Sequence, residues 1–122
     1  VLCAHFGLLS WERRYQASRL RQLLETIPLQ APLVLAGDFN DWNRQVHHEL
    51  HRLGLREAVQ EATGALQKTF PARFPMLHMD RIYYRNLSLV EAGCAEGLHW
   101  RGLSDHSPLR AEFHTLDGRS AL

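Results

Sequence analysis

APLVLAGDFNDW, residues 31–42, decides how this chain is read. Pro32 leads into Leu33, Val34, Leu35 and Ala36, a short run without a polar side chain. Such a run fits a strand covered on both faces. It breaks at once into Gly37, Asp38, Phe39, Asn40 and Asp41. Two explanations fit a strand that ends in two carboxylates and an amide. GDFND can be a turn, with Asp41 or Asn43 capping the helix that follows. It can equally be one wall of a metal and phosphate site, since carboxylate oxygens suit a hard divalent cation. On extended backbone Asp38 and Asn40 would face one side and Phe39 the core.

Upstream, VLCAHFG (residues 1–7) reads as a strand, and Ser10 is the expected N-cap of a helix running to about Ile27. Tyr15, Leu20, Leu23, Leu24 and Ile27 form its apolar stripe, Arg13, Arg14, Arg19 and Arg21 sit largely off it, and Pro28 stops it. Downstream, residues 44–53 predict a second helix with Val46, Leu50 and Leu53 inward, ended by Gly54. Residues 55–62 fit a helical turn or a strand. TGALQKTFPARFP, residues 63–75, predicts a long surface loop, and loops of that length in compact domains are often functional. Residues 77–84 and 86–94 predict neighbouring strands with Arg85 and Asn86 at the turn, residues 97–107 a loop, and 108–116 an alternating strand. This order predicts α/β layers around a mixed sheet.

At 122 residues and 45% hydrophobic, the chain suits one globular domain. A formal net charge of +1 gives no broad basic face for nucleic acid, so a phosphate site would have to be local. No apolar run is long enough to span a bilayer, and no basic amphipathic helix or lipid anchor is visible. The two cysteines, Cys3 and Cys94, stand in no metal spacing. They read as buried free thiols, which favours a reducing compartment and hence the cytoplasm, with a disulfide between them left open. Val1 opens within a strand, so residues are expected upstream, and the lack of a signal peptide carries no information.

The remaining chemistry lies in isolated residues. Asp105 and His106 sit on a loop before Pro108, where both can reach one site, and Asp/His is an acid–base and metal-binding pair. Asp80 interrupts an apolar and aromatic strand and needs a partner. Taken alone it would pair with Arg81 or Arg85; His106 is the alternative, which would fix the imidazole tautomer. His5 closes the first strand. His47, His48 and His51 have helical metal-pair spacing but no third ligand nearby, and with His78, His99 and His114 they read as background, mostly on solvent faces.

A His-bearing strand before a helix containing ERRYQ, then GDFND, MDRIYY and SDHSPL in that order, closely resembles the endonuclease/exonuclease/phosphatase family. Its members include DNase I-like nucleases, abasic-site endonucleases, neutral sphingomyelinases and inositol polyphosphate phosphatases. The resemblance implies a half of a four-layered α/β sandwich of the DNase I type, with a mixed sheet and helices on one face. Residues 1–116 would be the C-terminal portion of the domain and 117–122 a tail. It further implies a phosphoester hydrolase dependent on Mg²⁺, with Mn²⁺ as an alternative. Asp38 would activate water or help hold metal, and Asn40 would stabilise the phosphate. Asp105 would be a metal ligand, His106 the catalytic imidazole and Asp80 its orienting carboxylate. His5 would be the second active-site histidine. TFPARFP resembles a substrate-side loop in which Arg73 could meet phosphate. The substrate classes implied are nucleic acid, a phospholipid headgroup or an inositol phosphate. Family members are about twice this size, and their N-terminal half supplies an asparagine and a metal-binding glutamate whose motifs are missing here. The fragment alone is therefore expected to be inactive or very weak, and to self-associate unless that half is supplied. The competing expectation is a non-catalytic binding or scaffolding domain that keeps the fold.

Overall fold

A computed structural model describes residues 1–95 and 97–117. The elements run β1 (Leu2–His5), α1 (Ser10–Glu25), β2 (Leu33–Asp38), α2 (Gln45–Arg52), β3 (Arg56–Glu57), α3 (Ala58–Thr63), β4 (Asp80–Arg85), β5 (Leu87–Cys94), α4 (Leu98–Arg101) and β6 (Leu109–Thr115). The predicted tail lies beyond the described residues from 118 onward.

Four strands form one mixed sheet in the order β1-β2-β4-β3. β1 runs parallel to β2, while β2 and β3 both run antiparallel to β4. β2 is covered on both faces, as its unbroken apolar run requires. Leu33 and Leu35 pack with Phe6, Leu24, Phe39, Val46, Leu50, Leu55 and Tyr83, beneath α1 and α2. Val34 faces the other way, with Ala58, Tyr84, Leu87 and Phe113. Gly37 is required where β2 meets β1: a Cβ there would lie 1.8 Å from the Ala4 carbonyl oxygen.

Four expectations are corrected. First, β4 and β5 are not paired neighbours. β4 stays in the main sheet, Asn86 turns the chain at φ 54°, and among the described residues β5 pairs only with β6, in a separate two-stranded sheet. Asn86 is held there by its amide, which donates to the carbonyls of Leu29 and Ala31. Second, α1 begins at Ser10 rather than being capped by it. The Leu9 N–H is held by Glu12 Oε2 at 3.1 Å. Third, the α1 stripe is displaced. Tyr15 and Leu23 are exposed, while Arg13 is only 2% exposed, its guanidinium donating to the carbonyls of Leu8 and Gly7. Those two carbonyls hold the cation through Nη1, while Nε is left unpaired, at a position where the apolar pattern did not foresee a charge. Fourth, Cys3 is exposed, because its side of the edge strand β1 is open, and no disulfide joins it to Cys94.

Residues 55–62 resolve as a strand followed by a helix. Glu57 makes the junction: its carboxylate accepts from Gln60 N at 2.7 Å and from Ile82 N at 3.1 Å. Burial pushes this carboxyl's pKa up, against those backbone donors. Among the described residues no helix is long and apolar enough to cross a membrane.

Candidate functional site

Strand register builds the site. His5 stands opposite Asp38 in the β1–β2 pairing, and Asp38 stands opposite Asp80 in the β2–β4 pairing. Three residues far apart in sequence thus occupy one rung at one end of the sheet. His5 Nε2 lies 3.8 Å from Asp38 Oδ2. His106 joins them from the loop before β6, with Nε2 3.8 Å from Asp38 Oδ2 and Nδ1 2.6 Å from Asp80 Oδ2.

That loop is tied down by backbone. Ser107 N donates to Thr69 O at 2.7 Å, and Ala72 N donates to Asp105 O at 2.7 Å. The long 63–75 loop therefore sets the position of His106. Thr69, fully buried, donates its hydroxyl to Asp80 Oδ2 at 2.6 Å and accepts from Asp80 N at 3.1 Å. Phe70 packs on the imidazole with ring centroids 4.9 Å apart. Thr69 and Phe70 escape sequence reasoning because a threonine and an aromatic in a loop carry no chemical signature. Their only flag is membership of an unusually long loop.

The preference for an Asp80–Arg81 or Asp80–Arg85 ion pair is overturned. Asp80 and Arg81 are consecutive on a strand and point to opposite faces. Arg81 instead enters the core and meets Asp41 at 2.8 Å, with side chains 1% and 0% exposed. Arg85, largely buried, donates to the carbonyls of Ile27 and Pro28. Asp80 is left to Thr69 and His106, an arrangement that fixes the Nδ1–H tautomer and aims Nε2 at Asp38.

Desolvation by itself lowers the His106 pKa. The hydrogen bond to Asp80, then the charges of Asp80, Asp38 and Asp105, outweigh it, and the net direction is upward.

Asn40 does not lie on extended backbone as expected. Its φ is 45°, β2 having ended at Asp38, and its N–H folds back to Asp38 Oδ1 at 2.9 Å. Asn40 Nδ2 donates to Phe6 O at 2.6 Å, which leaves one amide hydrogen and the amide oxygen uncommitted by that bond. Phe39 is fully buried, as expected. Behind Asn40, Arg13 and Gln16 of α1 hold the turn after β1, Gln16 Oε1 accepting from Gly7 N at 2.8 Å. These two residues also escaped sequence reasoning, although their i, i+3 spacing places them on one helix face.

Asp41 is the cap. Its oxygens accept from Val46 N at 3.0 Å and His47 N at 2.9 Å. His47, read from sequence as background, is 7% exposed and pairs through Nδ1 with Tyr83 Oη at 2.9 Å. Burial, then the charge of Arg81, lowers its pKa to about 4. Asp105 is exposed beside the rung, and its carboxylate stands outside the tight group.

That group consists of Asp38, Asp80 and His106, whose ligand atoms all lie within 4.8 Å of one another. Two carboxylates and an imidazole fit a divalent cation in donor type. Asp80 Oδ2 is already engaged by Thr69 and His106, so Asp38 is the better-placed ligand of the two carboxylates. These residues would supply part of such a cation's ligand set.

The mixed sheet with a carboxylate–imidazole rung at one end defines a DNase I-like α/β domain, present here in part. The Endonuclease/Exonuclease/phosphatase family matches residues 2–106, and the chain belongs to that family. It is 41% identical over 115 residues to the uncharacterized protein YbhP of Escherichia coli (strain K12), covering 93% of this chain and 46% of that protein. Among solved structures it resembles a conserved protein of unknown function from Enterococcus faecalis V583, with TM-score 0.77 and 24% identity over 93% of this chain and 48% of that one. An endonuclease/exonuclease/phosphatase from Bacteroides vulgatus is similar, with TM-score 0.74 and 22% identity over 91% and 47% of the two chains. The chain thus spans about half the length of these three proteins.

Proposed function

We propose that the intact protein hydrolyses a phosphoester with the help of a divalent cation, Mg²⁺ or alternatively Mn²⁺. One observation carries this reading: His5, Asp38, Asp80 and His106 converge from four separate segments onto one end of the sheet. A bound cation would neutralise developing charge on the phosphoryl oxygens, with Asp38 and Asp105 as its ligands from this chain. Asp38 would also position the attacking water. Asn40 would direct its remaining amide hydrogen at a phosphoryl oxygen. The attacking water gives a proton to Asp38 as its oxygen bonds to phosphorus, the ester P–O bond breaks, and the leaving oxygen takes a proton. His106, protonated and held by Asp80, is suited to bear charge beside the phosphate, and His5 is suited to supply the proton.

The family membership supports a hydrolase and leaves nuclease and phosphatase as the branches, with nucleic acid, phospholipid headgroup and inositol phosphate as substrate classes. The rest of the site would come from the segment that the longer relatives possess and this chain does not span. By itself the 122-residue chain is accordingly expected to be inactive or very weak.

The test is phosphodiesterase and phosphatase assay of the intact protein with and without Mg²⁺. Chelation should abolish turnover. Asp38→Ala and His106→Ala should each lower kcat by about 10²–10⁴-fold, the range for single acid–base or electrostatic groups. Near-normal rates in both variants would contradict the assignment, and would favour a binding domain that merely keeps the fold.

A further inference from the structure

On the helical side of the sheet, α1 and α2 leave a groove of about 220 Å³ between them, and no residue of the rung lines it. Ala17 and Val46 give it an apolar floor: Val46 is 2% exposed and Ala17 packs on the main core. The charges around that floor are unequal in sign. Arg13, Arg14 and Arg21 line the groove from α1, and among the described residues Glu49 of α2 is the one carboxylate that does.

The protein itself matches these three guanidiniums poorly. Arg13 is 2% exposed, and both of its side-chain hydrogen bonds go through Nη1, to the carbonyls of Gly7 and Leu8. Its Nε is buried without an acceptor, and Nη2 has none among the described residues. Nε and Nη2 form the edge of a guanidinium that takes an oxyanion in two parallel N–H bonds. Burying such donors unpaired costs free energy until an acceptor reaches them. Arg14 is exposed and forms no ion pair among the described residues. Arg21 stands 3.9 Å from Glu25 and 3.9 Å from Glu49, beyond hydrogen-bonding distance of either. Exposed pairs of that kind contribute little, so Arg21 can turn to a better acceptor at small cost.

We infer that the α1–α2 groove is a binding site for a small organic anion. Its carboxylate or phosphate would lie on Arg13, Arg14 and Arg21, and a short apolar body on Ala17 and Val46. Guanidinium suits either oxyanion, through paired N–H donors. Three cations against one carboxylate set the sign of the ligand, and the apolar floor favours an organic anion over an inorganic one. The site is separate from the rung and stands or falls independently of the hydrolytic reading.

Arg13 also holds the turn after β1, so the test leaves it in place. Propyl phosphate and glutarate are the probes, titrated into the intact protein in metal-depleted buffer by calorimetry, with amide NMR to locate the binding. At least one should saturate and shift amides of α1 and α2, and the tighter of the two tells phosphate from carboxylate recognition. Arg14→Ala with Arg21→Ala should weaken binding by about tenfold or more, the scale of lost charge-assisted hydrogen bonds. Glu49→Gln removes the opposing charge and should tighten it. His106→Ala, on the rung, should leave it unchanged. The site is overturned by any of four results: no saturable binding of either probe, equal affinity in the double alanine variant, no tightening in Glu49→Gln, or binding lost in His106→Ala with amide shifts centred on residues 38–40 and 104–107.

Discussion

At the scale of single residues, Asp80 does the most to define the candidate site. It is one atom from two partners: its Oδ2 takes both the Thr69 hydroxyl and His106 Nδ1. The raised pKa of His106 depends chiefly on that contact. In the metal-free protein the imidazole should therefore titrate above its ordinary 6.5. Asp80→Asn removes the charge and keeps the shape, so the titration should move down, toward or below that value. NMR of the His106 ring protons across pH 5–9 reads this directly, and an unmoved titration would show that Asp80 does not control the imidazole. From sequence, Asp80 was legible as a carboxylate in need of a partner. Which partner it takes was not, because Arg81 next to it looks equally suitable until strand alternation turns it to the other face.

At the scale of elements, GDFND couples a strand, a turn and a helix. Asp38 ends β2 in the site, Phe39 enters the core, and Asp41 caps α2 while pairing with Arg81. Cap and ion pair meet in one fully buried carboxylate. Removing it would leave Arg81 buried without its counter-charge and two α2 amides without an acceptor. Asp41→Ala should cost about 3–5 kcal/mol in urea unfolding, the range for breaking a buried pair from one side. A loss below about 1 kcal/mol, the scale of an ordinary cap, would show that Arg81 finds other acceptors. The capping side chain was among the two that the sequence offered, Asp41 or Asn43, although the N-cap position itself falls on Arg44. The ion pair was not, because Asp41 and Arg81 are joined only by the pairing of β2 with β4.

At the scale of the whole molecule, two histidines give stability opposite pH dependences. The His47 pKa is lowered to about 4 from 6.5. The unfolded chain therefore takes up this proton before the folded one does. The contribution is complete above about pH 6.5 and is lost as pH falls toward 4, up to about 3 kcal/mol if the whole shift is realised. His106 has a raised pKa. Its contribution is complete below the ordinary imidazole pKa and fades as pH rises through the folded value. Denaturant unfolding at pH 4.5 and 7.5 should show a drop on the acid side that shrinks in His47→Gln. An unchanged drop would place the acid sensitivity elsewhere.

The sequence by itself determined the α/β class, the run that becomes β2, the cap at Asp41 and the residue types of the candidate site. These are local matters: side-chain period, capping chemistry and the ends of apolar runs act within a few positions. Only the tertiary structure decided what meets what. It set His5, Asp38 and Asp80 on one rung, gave Asp80 to His106 and Arg81 to Asp41, sent β5 to β6, and buried Arg13 and His47. Strand register and the pairing of distant segments fix those contacts, and no single stretch of chain contains that information. GDFND reads alone as a turn or a site; folded, Asp41 makes it the first, and Asp38, beside His5 and His106, makes it a candidate for the second.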